Sequence, residues 1–123
     1  MFYFWLMLAG GIGVLLRYLI GRTTTNLGWT ALPFGTLFAN LIGCFLIGFL
    51  SWFLAQKLHA SEQVQVIVLA GFLGGFTTFS AFSLETVSMF NEGGNIRAII
   101  YISVKVSLCI LMTLLGLILA KQT

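Results

Sequence analysis

Charged residues are scarce in this sequence of 123 residues, and their scarcity excludes a soluble fold. Only 7% of the residues are Asp, Glu, Lys or Arg, whereas soluble domains carry roughly 25%. Hydrophobic residues make up 59% of the chain. The net charge of +3 comes from scattered residues without a basic cluster, so we expect no nucleic-acid partner.

Residues that carry out catalysis or bind metal ions through side chains are also rare. The only histidine is His59, in a predicted loop, and the only cysteines, Cys44 and Cys109, lie in apolar segments. No metal-ligand spacing, ATP-binding motif or nucleophile–base pair is present. We therefore expect no enzyme, and we interpret the cysteines as small buried hydrophobic residues.

What the sequence does contain is four long apolar runs. A membrane helix needs about 20 apolar residues, so four spans and short loops nearly use up the chain. We predict an all-α membrane protein in the lipid bilayer, with a single transmembrane domain over residues 1–123. The predicted spans cover residues 2–20, 33–54, 64–90 and 96–120.

The third predicted span contains a segment, residues 71–83, that does not suit a regular membrane helix. Adjacent glycines at positions 74 and 75 weaken a helix, and the hydroxyls of Thr77, Thr78 and Ser80 compete for backbone hydrogen bonds. In hydrocarbon, irregular backbone is tolerated only where it is buried in protein or lines a wet cavity. We therefore predict a broken third helix that serves as an ion or solute site.

The positive charges show no bias between the two sides of the membrane. Lys57 and Lys121 flank the side of the termini, whereas Arg22 and Arg97 flank the other side, together with Arg17 if it extends to the interface. Because positive residues set the orientation of a membrane protein, this balance predicts insertion in both orientations. Such a dual-topology chain can form an antiparallel dimer.

Polar groups within the spans mark the candidate site, because they are costly in lipid and are usually functional. Thr36 and Asn40 lie one turn apart in the second span. The amide of Asn40 could donate to an anion or form an interhelical hydrogen bond, and both alternatives stay open. The electropositive ring edges of Phe79 and Phe82 could contact a small anion without binding it as tightly as a full charge would.

Three charged residues, Arg17, Glu85 and Lys105, have no assigned role at this point. Glu85 follows the predicted break, and Lys105 lies about 13 Å into the fourth span. Three alternatives remain open for Lys105. Its ammonium could extend to the interface, pair with Glu85, or face a vestibule and attract anions.

Three segments together carry a resemblance to a known family. They are residues 10–18, residues 35–43 (GTLFANLIG) and residues 74–83 (GGFTTFSAFS). In order and spacing they resemble the CrcB/Fluc family of bacterial fluoride channels, and the resemblance covers essentially the whole chain. It implies a passive channel that exports cytoplasmic fluoride across the bacterial inner membrane and confers fluoride resistance. It also implies a dual-topology antiparallel homodimer.

The resemblance further implies the site residues. Fluoride would pass along Phe79 and Phe82, with Asn40 and Ser83 as polar partners and Thr36 as a weaker candidate. A structural sodium ion at the dimer centre would be bound by main-chain carbonyls of the broken helix. These carbonyls would belong to Gly74 and Thr77 or, after a slip of one residue, to Gly75 and Thr78.

One departure from the family pattern leaves an alternative open. The family often has a hydroxyl residue one turn after a tyrosine in the fourth span. Tyr101 fits this pattern, but Lys105 stands one turn later. The chain could therefore be one subunit of a heterodimer, with a weaker pore of its own. A small multidrug exporter is a further alternative, although its usual carboxylate in the first span is missing here.

Overall fold

The computed structural model describes residues 1–123, which form five α-helices and no strand. The helices are α1 (Phe2–Asn26), α2 (Phe34–Lys57), α3 (residues 62–76), α4 (Phe79–Asn91) and α5 (Asn95–Lys121). Helices α3 and α4 follow each other within one segment, Glu62–Asn91. This segment and the other three helices are each long and apolar enough to cross a membrane. The chain is therefore an all-helical, multi-pass membrane protein.

Two predicted helix boundaries differ from the structure. The first span was predicted to end at residue 20, but α1 continues to Asn26 through three threonines at positions 23–25. Their hydroxyls donate to the carbonyls of Leu19 and Gly21, so these polar side chains are satisfied within the helix. The second span runs past residue 54 because α2 ends in a π-helical turn, Phe53–Lys57.

The connections between spans are short, and the one before α3 carries a side-chain cap. Ser61 precedes α3, and its hydroxyl accepts a hydrogen bond from the amide of Val64 at 3.4 Å, as an N-cap does. The turn between α4 and α5 contains Gly93 with a φ of +79°, a conformation that favours glycine. These connections keep consecutive spans adjacent and antiparallel.

Glycines set the distances between the helices. A Cβ at Gly48 would overlap the backbone of Thr113, and one at Gly116 would overlap the carbonyl of Phe45. Helices α2 and α5 are therefore in backbone contact. A Cβ at Gly75 would similarly overlap the carbonyl of a glycine on α1. Close approach of this kind stabilises membrane helices through dispersion, since lipid supplies no hydrophobic driving force.

Few residues are buried within the single chain, and the buried cluster lies beside the interrupted third span. Only 19 of 123 residues are buried, so most apolar side chains face outward. Phe82 and Met89 of α4 pack against Ala98 and Tyr101 of α5. This cluster holds α4 against α5, and the candidate site lies at its Phe82 end.

Candidate functional site

The third span is interrupted between α3 and α4. Thr77 has φ −88° and ψ 159°, and Thr78 has φ −153° and ψ 126°, so both residues are extended. The amide of Thr77 still donates to the Leu73 carbonyl and ends α3. The hydroxyl of Thr78 accepts from the amide of Ala81 at 3.2 Å and caps α4. Local sequence chemistry therefore ends one helix and begins the next within two residues.

Asn40 of α2 holds this extended segment in place. Its Oδ1 accepts from the Thr78 amide at 2.8 Å, and its Nδ2 donates to the Thr78 carbonyl at 2.9 Å. The side chain is 8% exposed. Asn40 thus pairs with the Thr78 backbone as a neighbouring strand would. The interhelical hydrogen bond considered from the sequence is present, and one N–H of the amide is left over for another acceptor.

The pairing of the Asn40 side chain with the Thr78 backbone, called the Asn40 clamp below, changes the hydrogen-bond donors that reach the nearby carbonyls. In a continuous helix the Thr78 amide would donate to the carbonyl of Gly74, and the Ala81 amide to that of Thr77. Both amides donate elsewhere, to Asn40 and to the Thr78 hydroxyl. The carbonyls of Gly74 and Thr77 therefore lose their helical donors, and a Cβ at Gly74 would meet no atom within 4 Å.

The other two candidate carbonyls already have partners. The Gly75 carbonyl accepts from Nε of Arg17 at 3.2 Å, and the Thr78 carbonyl accepts from Asn40. Of the two carbonyl pairs considered from the sequence, Gly74 with Thr77 is thus the pair with unused acceptor capacity. No cluster of His, Cys, Asp or Glu side chains that could bind a metal is found in the chain.

A groove of about 270 Å³ runs beside the interruption. Asn40, Thr78, Phe79, Phe82 and Lys105 line it. The rings of Phe79 and Phe82 are 5.5 Å apart with an edge-to-face angle of 69°. Phe82 is 7% exposed and Phe79 is 75% exposed. The structure therefore brings an amide, two aromatic rings and a cation to one groove.

Thr36, Glu85, Tyr101 and Lys105 form a polar cluster, and Lys105 is the member that also lines this groove. Oε2 of Glu85 accepts from the Thr36 hydroxyl at 2.7 Å and from the Tyr101 hydroxyl at 2.8 Å. Nζ of Lys105 donates to Tyr101 Oη at 2.8 Å and to Thr36 Oγ1 at 3.2 Å, and it lies 3.7 Å from Glu85 Oε2. The structure thus pairs Lys105 with Glu85. The two side chains are connected mainly by the hydroxyls of Thr36 and Tyr101, which hydrogen-bond to both.

Ser83 is the predicted site residue that lies apart from the others. Its hydroxyl donates to the Phe79 carbonyl of its own helix at 3.0 Å, and it does not line the groove. Arg17 is also separate from the groove, because its side chain ends at the Gly75 backbone.

Sequence reasoning missed four of the groove residues, and two of these are Cys44 and Cys109. Both were interpreted as buried hydrophobic residues, although a spacing rule could have placed them. Cys44 follows Asn40 by four residues and Cys109 follows Lys105 by four, so each shares a helix face with a site residue. The bridging roles of the Thr36 and Tyr101 hydroxyls were also missed, since they require three helices to be docked.

Comparison with known proteins agrees with this architecture. Residues 4–117 match the family described as "CrcB-like protein, Camphor Resistance (CrcB)". A "Fluoride-specific ion channel FluC" of Rhizobium etli (strain CIAT 652) is 42% identical over 114 residues, which cover 93% of this chain and 91% of the relative. The protein of the same name from Magnetococcus marinus (strain ATCC BAA-1437 / JCM 17883 / MC-1) is 38% identical over 117 residues, or 95% of each chain. These names are those of an ion channel rather than an enzyme, and the chain belongs to the CrcB-like protein family.

Proposed function

We propose that this protein is a fluoride-specific channel that exports cytoplasmic fluoride by passive electrodiffusion and so confers fluoride resistance. Its place would be the bacterial inner membrane, as a single four-helix channel domain. The names of its relatives support the choice of ion. The observation that carries the proposal is the groove in which Asn40 meets the rings of Phe79 and Phe82 beside the interrupted helix.

The groove offers weak, shared contacts of the kind that conduction requires. The second N–H of the Asn40 amide can donate to an anion, because the first is bound to Thr78. The rings of Phe79 and Phe82 both line the groove, and the electropositive C–H edge of an aromatic ring can contact an anion. An ion must bind well enough to enter and weakly enough to leave, and neutral donors meet both requirements.

The functional unit in this proposal is a dual-topology antiparallel homodimer. A single chain leaves Phe79 and Gly74 exposed beside the interruption, and a second copy would cover them. Lys57 donates to the carbonyl of Thr123. Lys57 of α2 and Lys121 of α5 therefore lie at the same end of the helices. Arg22 and Arg97 balance them at the other end, which agrees with insertion in either orientation.

A structural sodium ion at the centre of this dimer is the second part of the proposal. The third span would act there as a broken helix near the middle of the membrane. The unused carbonyls of Gly74 and Thr77 suit a hard monovalent cation, which takes oxygen ligands. Two chains would supply four such carbonyls. Purification in N-methylglucamine buffer followed by sodium titration should then raise the thermal unfolding temperature, whereas an equal response to N-methylglucamine alone would contradict the site.

The function is tested by reconstituting the purified protein in liposomes and following fluoride efflux with an electrode. We expect sustained fluoride efflux only when an ionophore carries a cation out and balances the charge, as passive electrodiffusion requires. Phe79→Ile should reduce efflux, with Phe90→Ile as the matched control on the same helix, away from the groove. Absence of efflux from the protein alone would reject the homodimeric channel.

A heterodimer is the second candidate, because Lys105 buries a full positive charge beside the groove. A charge of this kind can bind an anion too tightly for rapid release. In that case the chain would pair with a similar subunit that has a freer pore. Co-expression with such a subunit and efflux from the mixed dimer, with none from the chain alone, would favour this candidate.

A further inference from the structure

Lys105 is a buried cation with donor capacity to spare. It is 2% exposed, and its Nζ lies 4.6 Å from the centre of the Phe82 ring and 5.0 Å from that of Tyr101. Charged groups in a membrane protein are costly unless they face a partner or a wet cavity. Lys105 has both, since it pairs with Glu85 and also lines the groove.

The hydrogen bonds of the ammonium leave one N–H without a close acceptor. An ammonium has three donors, and two of them go to Tyr101 Oη at 2.8 Å and Thr36 Oγ1 at 3.2 Å. Glu85 Oε2 lies 3.7 Å away, beyond hydrogen-bonding distance. The Glu85 carboxylate compensates the ammonium charge mainly through the two bridging hydroxyls. The third N–H of Lys105 has no protein acceptor.

Lys105 also lies where two grooves approach each other. Thr36, its hydrogen-bond partner, lines a second groove of about 550 Å³ together with Arg17 and Arg22. Lys105 itself lines the groove of Asn40 and Phe82. An anion that moves from the groove of Arg17 and Arg22 to the groove of Asn40 and Phe82 would therefore pass the Lys105–Thr36 contact.

We propose that the Lys105 ammonium is an anion-binding position in this channel, which takes fluoride at the junction of the two grooves, and that Glu85 limits its affinity. This inference rests on the proposed function, and it assigns to Lys105 a role in setting affinity. The free N–H donates to a water molecule in the hydration shell of the bound ion, which places the ion about 4–5 Å from the nitrogen. The nearby carboxylate opposes binding, so that the ion can leave.

The size of the effect follows from the charges. An anion about 4–5 Å from the ammonium, on the side away from Glu85, would lie a few ångströms farther from the carboxylate, since Glu85 Oε2 is 3.7 Å from the nitrogen. With an effective dielectric constant near 20, the attraction exceeds the repulsion enough to strengthen binding about tenfold. Removal of the carboxylate charge alone should strengthen binding by a further factor of about ten.

Fluoride binding to the purified protein in detergent, measured by isothermal titration calorimetry, tests the inference without requiring transport. The deciding variant is the double substitution Lys105→Met and Glu85→Gln, which removes both charges and keeps both side-chain sizes. We expect it to bind fluoride about tenfold more weakly than the unchanged protein. Glu85→Gln alone should bind about tenfold more tightly, and Ser51→Ala, on α2 outside the groove, should bind equally well.

Two results would overturn the inference. One is equal fluoride affinity of the double variant and the unchanged protein, and the other is no fluoride binding to the unchanged protein. If Glu85→Gln alone does not fold, the charge-neutral double variant still decides. Efflux from liposomes separates the two proposals, because a protein that binds fluoride through Lys105 without conducting it would refute the channel and keep the site.

Discussion

The Asn40 clamp on Thr78 makes a strong prediction, because one side chain satisfies both polar groups of one residue's backbone. Asn40→Ala would leave the Thr78 amide and carbonyl without partners. An unsatisfied buried polar group costs about 1–3 kcal/mol. Since water in the groove can reach part of this segment, we expect a loss of about 2–4 kcal/mol in the free energy of unfolding.

Two assays measure this loss. Reversible unfolding in sodium dodecyl sulfate, followed by circular dichroism, gives the change in free energy. Hydrogen exchange reports the Thr78 amide directly, and a loss of 2 kcal/mol corresponds to exchange about 30 times faster if local opening governs it. Fluoride efflux should also fall, because the segment that carries Phe79 would no longer be fixed.

Ser51→Ala is the matched control, since Ser51 lies on the same helix and its hydroxyl donates to the Gly48 carbonyl at 3.1 Å. That carbonyl belongs to a regular helix, so the control should cost less than about 1 kcal/mol. If Asn40→Ala unfolds like the control and the Thr78 amide exchanges at the original rate, the clamp does not hold the interruption. The account of the freed carbonyls would then fail as well.

Three further predictions follow from the packing. Phe82→Ile should lower efflux and also lower the free energy of unfolding by about 1–2 kcal/mol, because the ring packs on Tyr101. Phe79→Ile should lower efflux but destabilise the monomer less, since a single chain leaves Phe79 exposed, and equal destabilisation of the monomer by both would contradict this difference. Gly116→Ala should destabilise the fold by several kcal/mol because its Cβ would overlap the backbone of α2. Gly11→Ala, whose Cβ would meet no atom within 4 Å, should instead stabilise α1 by up to about 1 kcal/mol in the same unfolding assay. Arg17→Gln should weaken the anchoring of the Gly75 carbonyl, and faster hydrogen exchange near that residue would reveal it.

The features that could be predicted from the sequence are those that depend on neighbouring residues. Apolar length predicted the four spans, and the Ser61 cap depends only on the chemistry of a serine just before a helix. The partners of Asn40, Thr36 and Tyr101 could not be predicted, since each lies on another helix and depends on the rotation of that helix. The continuation of α1 through the threonines at 23–25 was missed because hydroxyl groups suit either a loop or a helix.

The resemblance supplied the identity of the ion, and the geometry adds reasons for particular atoms. Composition alone could not distinguish Gly74 and Thr77 from Gly75 and Thr78 as ligands of the proposed sodium ion. The difference depends on which carbonyls are already bonded, and Arg17 and Asn40 occupy the second pair. The choice therefore requires knowledge of long-range contacts.

The π-helical stretch Ile67–Leu73 within α3 has a consequence for the evolution of this span. A π-helical segment results when one residue is inserted into an α-helix, and residues beyond it are rotated by about 100° relative to those before it. Removal of one residue from this stretch would restore a regular helix but turn Gly75 away from Gly10, its contact on α1. The extra residue thus fixes which residues of this helix face α1. Deletions here should be far more harmful than substitutions.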